Sequence, residues 1–201
     1  MGKKPKKDKR ITLSTGRLIA CCLAAGAAVL VFIYAGAVAR LQKNVELQAD
    51  SDVFTSMSLT DYDGKVYTHD TFANSKLTFI NVWETTCSAC IAEFPDLQEV
   101  TQELDPSKVQ FVGVCADLLA ADGSVDQAMV NEAKSILNDS GVTFLQLIPD
   151  NKTTMFIHSV ISGYPTTFVV DSEGKIIDSF AGGMRADDWR AKIAEYADKA
   201  A

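Results

Sequence analysis

The amino-acid sequence predicts an α/β protein, a three-layer α/β/α sandwich opened by an N-terminal β-hairpin and preceded by one transmembrane helix. Three observations predict it. A 22-residue uncharged stretch at 18–39 follows a basic tail. Short apolar runs rich in β-branched and aromatic residues recur at 77–83, 109–115, 143–148 and 166–170. Stretches of helical apolar spacing lie between those runs, the alternation that builds a sheet covered by helices. Setting aside the first 40 or so of the 201 residues leaves about 150, enough for one ordinary domain with a single core.

Residues 1–17 hold seven basic side chains against the one acid Asp8. A helix over 18–39 rises about 33 Å, enough to cross a hydrocarbon core of about 30 Å. Positive charge ahead of the span keeps the N-terminus in the cytoplasm and puts everything after Arg40 on the outer face. Ala37-Val38-Ala39 fits a cleavage site, but the apolar stretch exceeds the usual signal-peptide core of about 7–15 residues. An uncleaved anchor is therefore expected, with a cleaved signal peptide as its alternative. Leu18-Ile19-Ala20-Cys21 has the outline of a lipoprotein box, yet Arg17 interrupts it and most of the apolar run follows Cys21. Cys21 and Cys22 are read as small residues of a helix face. The expected organisation is a cytoplasmic basic tail at 1–17, a transmembrane signal anchor at 18–39, a juxtamembrane linker at 40–53 and a globular domain at 54–201. The protein is thus expected in the cell membrane as a single-pass chain, its C-terminal domain outside the cytoplasm.

The chain carries a net −7; with +6 in the first 17 residues, residues 18–201 carry −13. Such a surface repels nucleic acid, so no nucleic-acid partner is expected. Most of these acids serve to keep an exported domain soluble.

Within the domain, Asp61-Tyr62-Asp63-Gly64 reads as the turn of a hairpin joining 57–59 to 65–67. Residues 77–83 read as a buried strand and 88 to about 104 as a helix, with Ser88 or Thr86 near its cap and Pro95 bending it. Residues 109–115 are the next strand. A helix over 123–138 is stopped by Ser140-Gly141. A strand at 143–148 and a short helix at about 152–159 follow. Asp171-Ser172-Glu173-Gly174 turns a second hairpin between 166–170 and 175–180, and a last helix runs from about 185 to 199. Strands separated by helices need crossovers while the late hairpin must be antiparallel, so the sheet is mixed.

The chemistry sits in Cys87 and Cys90, a spaced pair at a strand end that turns directly into a helix. Unpaired N–H groups and the dipole at a helix N-terminus favour a thiolate. Cys115 is read as a small buried residue on a strand. His69 and His158 are lone residues of the surface or a helix end. No four-ligand metal spacing and no phosphate-cradling glycine loop appears, so neither a metal nor a cofactor is expected.

Strand, W-x-x-x-C-x-x-C, a helix with Pro95 five residues after Cys90, and a late G-Y-P-T-T before a hairpin together resemble the thioredoxin fold. Glu93-Phe94-Pro95 and the helical segment at 125–138 are similar to the membrane-anchored TlpA/ResA-like branch. The resemblance covers about three quarters of the chain. It implies a thiol-disulfide oxidoreductase in which Cys87 is the exposed nucleophile, Cys90 the resolving thiol, and the two form the redox-active disulfide. It makes Pro165 the family's cis-proline and groups Tyr164, Thr166 and Trp83 with it at the substrate, Trp83 as the member better suited to supporting the site from beneath. Thioredoxin's buried aspartate six residues before the first cysteine is replaced here by Asn81, which cannot titrate. Glu93, one turn after Cys90, matches the branch's glutamate, and burial is expected to raise its pKa into the working range for acid–base chemistry. Glu84 is the second candidate.

Ser88-Ala89 between the cysteines leaves both backbone N–H groups available to a thiolate. Thr86 stands where thioredoxins usually carry tryptophan. The resemblance further implies a disulfide-bearing protein substrate, an integral-membrane thiol donor and, for several members, work in cytochrome c maturation. The alternatives are a disulfide-forming oxidase, a Cu(I) metallochaperone, and a peroxiredoxin-type peroxidase. Against the last, Glu84 rather than a hydroxyl residue stands three before Cys87.

Overall fold

The computed structural model describes residues 31, 33–37 and 52–199. The expected span at 18–39 lies outside the described residues apart from 31 and 33–37, which are helical. The basic tail, Cys21 and Cys22 lie outside them entirely, as does the expected linker up to residue 51. No helix among the described residues is long and apolar enough to cross a membrane. Two units partition the chain, Met1–Glu46 and Leu47–Ala201. The second carries the fold described below.

A helical turn, Asp52–Thr55, leads into β1 (Ser58–Asp61), β2 (Val66–Thr68) and a 3-10 turn (His69–Asn74). Then come β3 (Leu77–Trp83), α1 (Ser88–Glu103), β4 (Val109–Cys115), α2 (Gln127–Asp139), β5 (Leu145–Ile148) and α3 (Asn151–Val160). The chain closes with β6 (Thr166–Asp171), β7 (Ile176–Ala181) and α4 (Ala186–Lys199). The strands form one mixed sheet in the order β2-β1-β5-β4-β3-β6-β7. β3 is parallel to β4, and β4 to β5, whereas β6 and β7 pair antiparallel at one end and β1 and β2 at the other.

The sheet splits the core in two because successive side chains on a strand point to opposite faces. Leu77, Phe79 and Trp83 of β3 pack with Phe94 and Leu97 of α1, Val130 and Ala133 of α2, and Trp189 and Ile193 of α4. Ile80 and Val82 of the same strand face Phe156 and Ile157 of α3, with Val53, Phe54 and Phe72. On this face α3 shares the cover of the sheet with the helical turn, through Val53 and Phe54, and the 3-10 turn, through Phe72. Val53, assigned from sequence to the linker, is buried there.

One helix start and one cap differ from expectation for local reasons. The helix expected from 123 begins only at Gln127, because Asp126 caps it by accepting the N–H groups of Ala128 and Met129. The cap of α1 is neither Ser88 nor Thr86 but Cys87, whose Sγ accepts the Cys90 N–H at 3.1 Å.

Candidate active site

β3 is buried along its whole length and carries the chain to the carboxyl end of the sheet, where Trp83 registers with Cys115. Four residues later Cys87 caps α1. Cys87 and Cys90 are joined by a disulfide, their Cα atoms 5.3 Å apart. Cys90 is fully buried, Cys87 half-buried, and Thr86, Ser88 and Ala89 are exposed. An incoming sulfur therefore meets Cys87 and not Cys90.

β6 runs antiparallel beside β3 with Thr166 opposite Val82, so the loop before it lies at the same sheet end as the cysteines. The Tyr164–Pro165 peptide bond is cis. Pro165 is buried, its carbonyl accepts the Gly182 N–H at 2.8 Å, and the Thr166 hydroxyl donates to the Gly163 carbonyl. Tyr164 remains partly exposed and stands against Glu84; burial, with Glu84 beside it, pushes its phenol up to about 12. Trp83 is fully buried, stacks edge-on against Phe94 and donates its Nε1–H to Gln146 Oε1. That places it under the site, a support and not a contact surface.

Glu93 is only 3% exposed. Its Oε1 accepts the Met184 N–H at 2.8 Å and the Trp189 Nε1–H at 2.9 Å, and its Oε2 lies 3.5 Å from Asn81 Nδ2. Burial pushes the carboxyl up to about 7; the Met184, Trp189 and Asn81 hydrogen bonds hold it down in part, and Asp96 adds to the rise. The residues that wrap Glu93 come from the far end of the chain. Arg185 and the Ala186 N–H meet Asp96, and Arg190 forks onto Glu99 and Glu103. The acids of α1 thus form a stripe that receives the start of α4.

A second polar group supports the loop before Cys87. The Thr85 N–H donates to both oxygens of Asp117, its hydroxyl donates to Oδ2 at 2.6 Å, and the Cys115 thiol donates to Oδ1 at 3.0 Å. Burial and the Asp117 carboxylate push the Cys115 thiol well up, so it stays protonated. Burial and Asp117 also raise Glu84, with Tyr164 and His158 pulling the other way. Asp117→Ala leaves the Thr85 N–H and hydroxyl, themselves buried, without their acceptor, at an expected cost of about 1–3 kcal/mol. A urea midpoint lowered with unchanged slope checks this; a loss under about 0.5 kcal/mol would show that water replaces the carboxylate.

Sequence reasoning missed three of these partners. Asp117 follows a strand with no motif around it, Gln146 interrupts an apolar run, and Trp189 reads simply as the apolar face of a last helix. Among the described residues, no group of three or more His, Cys, Asp or Glu side chains is arranged to hold a metal ion.

A half-buried cysteine capping a helix, a buried partner one turn on and a cis-proline loop alongside define a thiol-disulfide oxidoreductase of the thioredoxin fold. The Redoxin family model matches residues 48–197, and the chain belongs to that family. It is 27% identical over 180 residues to the thiol-disulfide oxidoreductase ResA of Bacillus subtilis, covering 89% of either chain. To the thiol:disulfide interchange protein DsbE of Haemophilus influenzae it is 26% identical over 138 residues, 69% of this chain and 68% of that one. These relatives support the TlpA/ResA-like assignment. Among solved structures, a thioredoxin-family thiol:disulfide interchange protein from Chlorobium tepidum superposes with a TM-score of 0.55 at 23% identity, over 71% of this chain and 92% of its own.

Proposed function

We propose that the protein is an exported reductant of protein disulfides, held at the outer face of the cell membrane by residues 18–39. The observation that carries this reading is Glu93, buried one turn after Cys90 with its carboxyl pushed up to about 7. A carboxyl poised near neutrality is suited to take and return a proton.

In this reading the Cys87 thiolate attacks a sulfur of the substrate disulfide, forming a mixed disulfide and expelling one substrate thiolate. The Glu93 carboxylate takes the proton of the Cys90 thiol. The resulting thiolate attacks Cys87 Sγ, forms the Cys87–Cys90 disulfide and releases the second substrate thiolate. Two electrons leave the dithiol, so each cycle ends with reduction of Cys87–Cys90 by a thiol donor, here an integral-membrane protein. Tyr164, Pro165 and Thr166 line the approach to Cys87 and position the substrate strand. Support for a reductive direction comes from the resemblance to the DsbE and ResA relatives and from the free N–H groups of Ser88 and Ala89 at the helix start. Work on apocytochrome c cysteines is the client class we assign.

The test is the reduction potential of the Cys87–Cys90 pair, by equilibration in glutathione or dithiothreitol buffers. A value near that of thioredoxin, about −270 mV, is expected. A value near about −120 mV, that of a strong disulfide-forming oxidant, would reverse the direction.

A further inference from the structure

Beneath α1 the sheet carries a rung of polar residues where a core would ordinarily be apolar. Thr167 of β6 registers with Asn81 of β3, Asn81 with Gly113 of β4, and Gly113 with Gln146 of β5. Asn81 is fully buried and Gln146 is 9% exposed. Asn81 Nδ2 faces Thr167 Oγ1 at 3.3 Å and Glu93 Oε2 at 3.5 Å, so the other end of the amide, Oδ1, points away from β6 towards β4. On the opposite side, Gln146 leans over Gly113: a Cβ at Gly113 would fall 2.0 Å from Gln146 Oε1 and 2.3 Å from Nε2. Its Oε1 is engaged by Trp83 Nε1.

Two buried atoms of this rung have no hydrogen-bond partner among the described residues, Asn81 Oδ1 and Gln146 Nε2. One is an acceptor and the other a donor; Gln146 Nε2 lies over Gly113, and Asn81 is the register partner of Gly113 on β3. Neighbouring strands are about 4.8 Å apart, and the Gln146 amide already lies over the Gly113 column, so the gap left to Asn81 is about one strand spacing. That is the span one water bridges, and a buried polar pocket with two or more partners is where structural water resides.

The geometry points to a water held over Gly113 between Asn81 and Gln146, and to an Asn81 amide that turns over as Glu93 gains or loses its proton. An ionised Glu93 accepts from Asn81 Nδ2, and the water donates to Asn81 Oδ1. A protonated Glu93 has an O–H to place. With the amide turned, Oδ1 accepts that O–H together with the Thr167 hydroxyl, and Nδ2 donates to the water. The Thr167 hydroxyl and the water each serve as donor or acceptor, and Gln146 Nε2 donates to the water in both states. Every buried group therefore keeps a partner through the proton transfer, which a fixed donor or acceptor at position 81 does not allow. Asn81 is thus a positioning residue acting through Glu93. The other groups near Glu93 that carry charge or can titrate are Asp96, which pairs with Arg185, and Cys90 one turn before it on α1, which is disulfide-bonded here and titrates only once reduced; β3, β6 and α4 present Asn81, Thr167 and Trp189, which do not titrate.

This inference rests on the reading of Glu93 as a group that changes protonation. It is tested by NMR of the isotope-labelled full chain, following the Glu93 carboxyl carbon and the side-chain amides of Asn81 and Gln146 from about pH 5 to about pH 9. The Asn81 amide protons are expected to show contacts with the Thr167 methyl at high pH and with the Gly113 α-protons at low pH. The change should share its midpoint with Glu93, and the Gln146 amide should show cross-relaxation with water at both ends. In Glu93→Gln the Asn81 contacts should not vary with pH. The same Asn81 contacts at both ends of a titrating Glu93, or a Gln146 amide without a water contact, overturn the inference and leave the role of Glu93 standing. A Glu93 carboxyl that does not titrate in this range overturns both, and the carboxyl signal identifies that case.

Discussion

Cys87→Ser is expected to lower turnover of a protein disulfide by more than about 10³-fold, the scale on which removing a nucleophile acts. Serine keeps the position at the start of α1 but supplies no sulfur to form the mixed disulfide. Cys90→Ser is expected to differ in kind. The first attack still proceeds at the half-buried Cys87, but no thiol stands on the buried side to resolve the product. The variant should accumulate Cys87-linked substrate, visible as a reducible adduct on a gel. A Cys90→Ser protein that turns over normally would end the two-cysteine scheme, because it would place the resolving sulfur elsewhere.

Glu93→Gln should act on both rate and stability, with opposite sense. Burial pushes the Glu93 carboxyl to about 7 in the folded protein, against an ordinary 4.5. Between those values the folded state holds a proton that the unfolded chain has lost, so stability falls as pH rises from about 4.5 to about 7 and is level above it. The difference corresponds to about 3 kcal/mol. Glutamine keeps an acceptor for Met184 and Trp189 but has no proton to lose. Its unfolding free energy should lack that decline and exceed that of the native protein by about 3 kcal/mol at pH 8. Denaturant titrations at pH 5 and 8 measure this; a parallel decline in both proteins would mean that another group causes it. The disulfide-exchange rate of the variant should lose the inflection near pH 7, and an unaltered profile would return the proton to Glu84 or water.

Most of the fold is legible in the chain because its signals are local. β3 and β4 are mostly apolar runs, broken by Thr78, Asn81 and Gln110, the two hairpins carry D-G and E-G turns, and Cys87 and Cys90 mark the place where strand becomes helix. Glu93 is legible too, by its one-turn distance from Cys90. The illegible part is long-range and polar. Asp117 reaches back 32 residues to Thr85, Gln146 reaches 63 to Trp83, and Trp189 reaches 96 to Glu93. No periodicity encodes such pairs, since each is settled only when the strands adopt their order. The helix start misjudged at Gln127 and the cap misjudged before Ser88 fail for a simpler reason. A cap depends on which side chain turns back onto the first N–H groups, and at Cys87 a sulfur does so where a hydroxyl is the usual choice.

The wrapping of Glu93 by Met184 and Trp189 has a consequence for how the protein comes into being. During synthesis Cys87 and Cys90 leave the ribosome about a hundred residues ahead of Trp189. Until the last helix arrives, the cysteines are an ordinary pair in a growing chain, beside a glutamate still exposed to water. Docking of α4 therefore completes the buried setting of the acid. A molecule in which α4 has not docked carries the thiols without the buried acid, so by the scheme above it can still form the Cys87 mixed disulfide but lacks the base that readies Cys90 to resolve it.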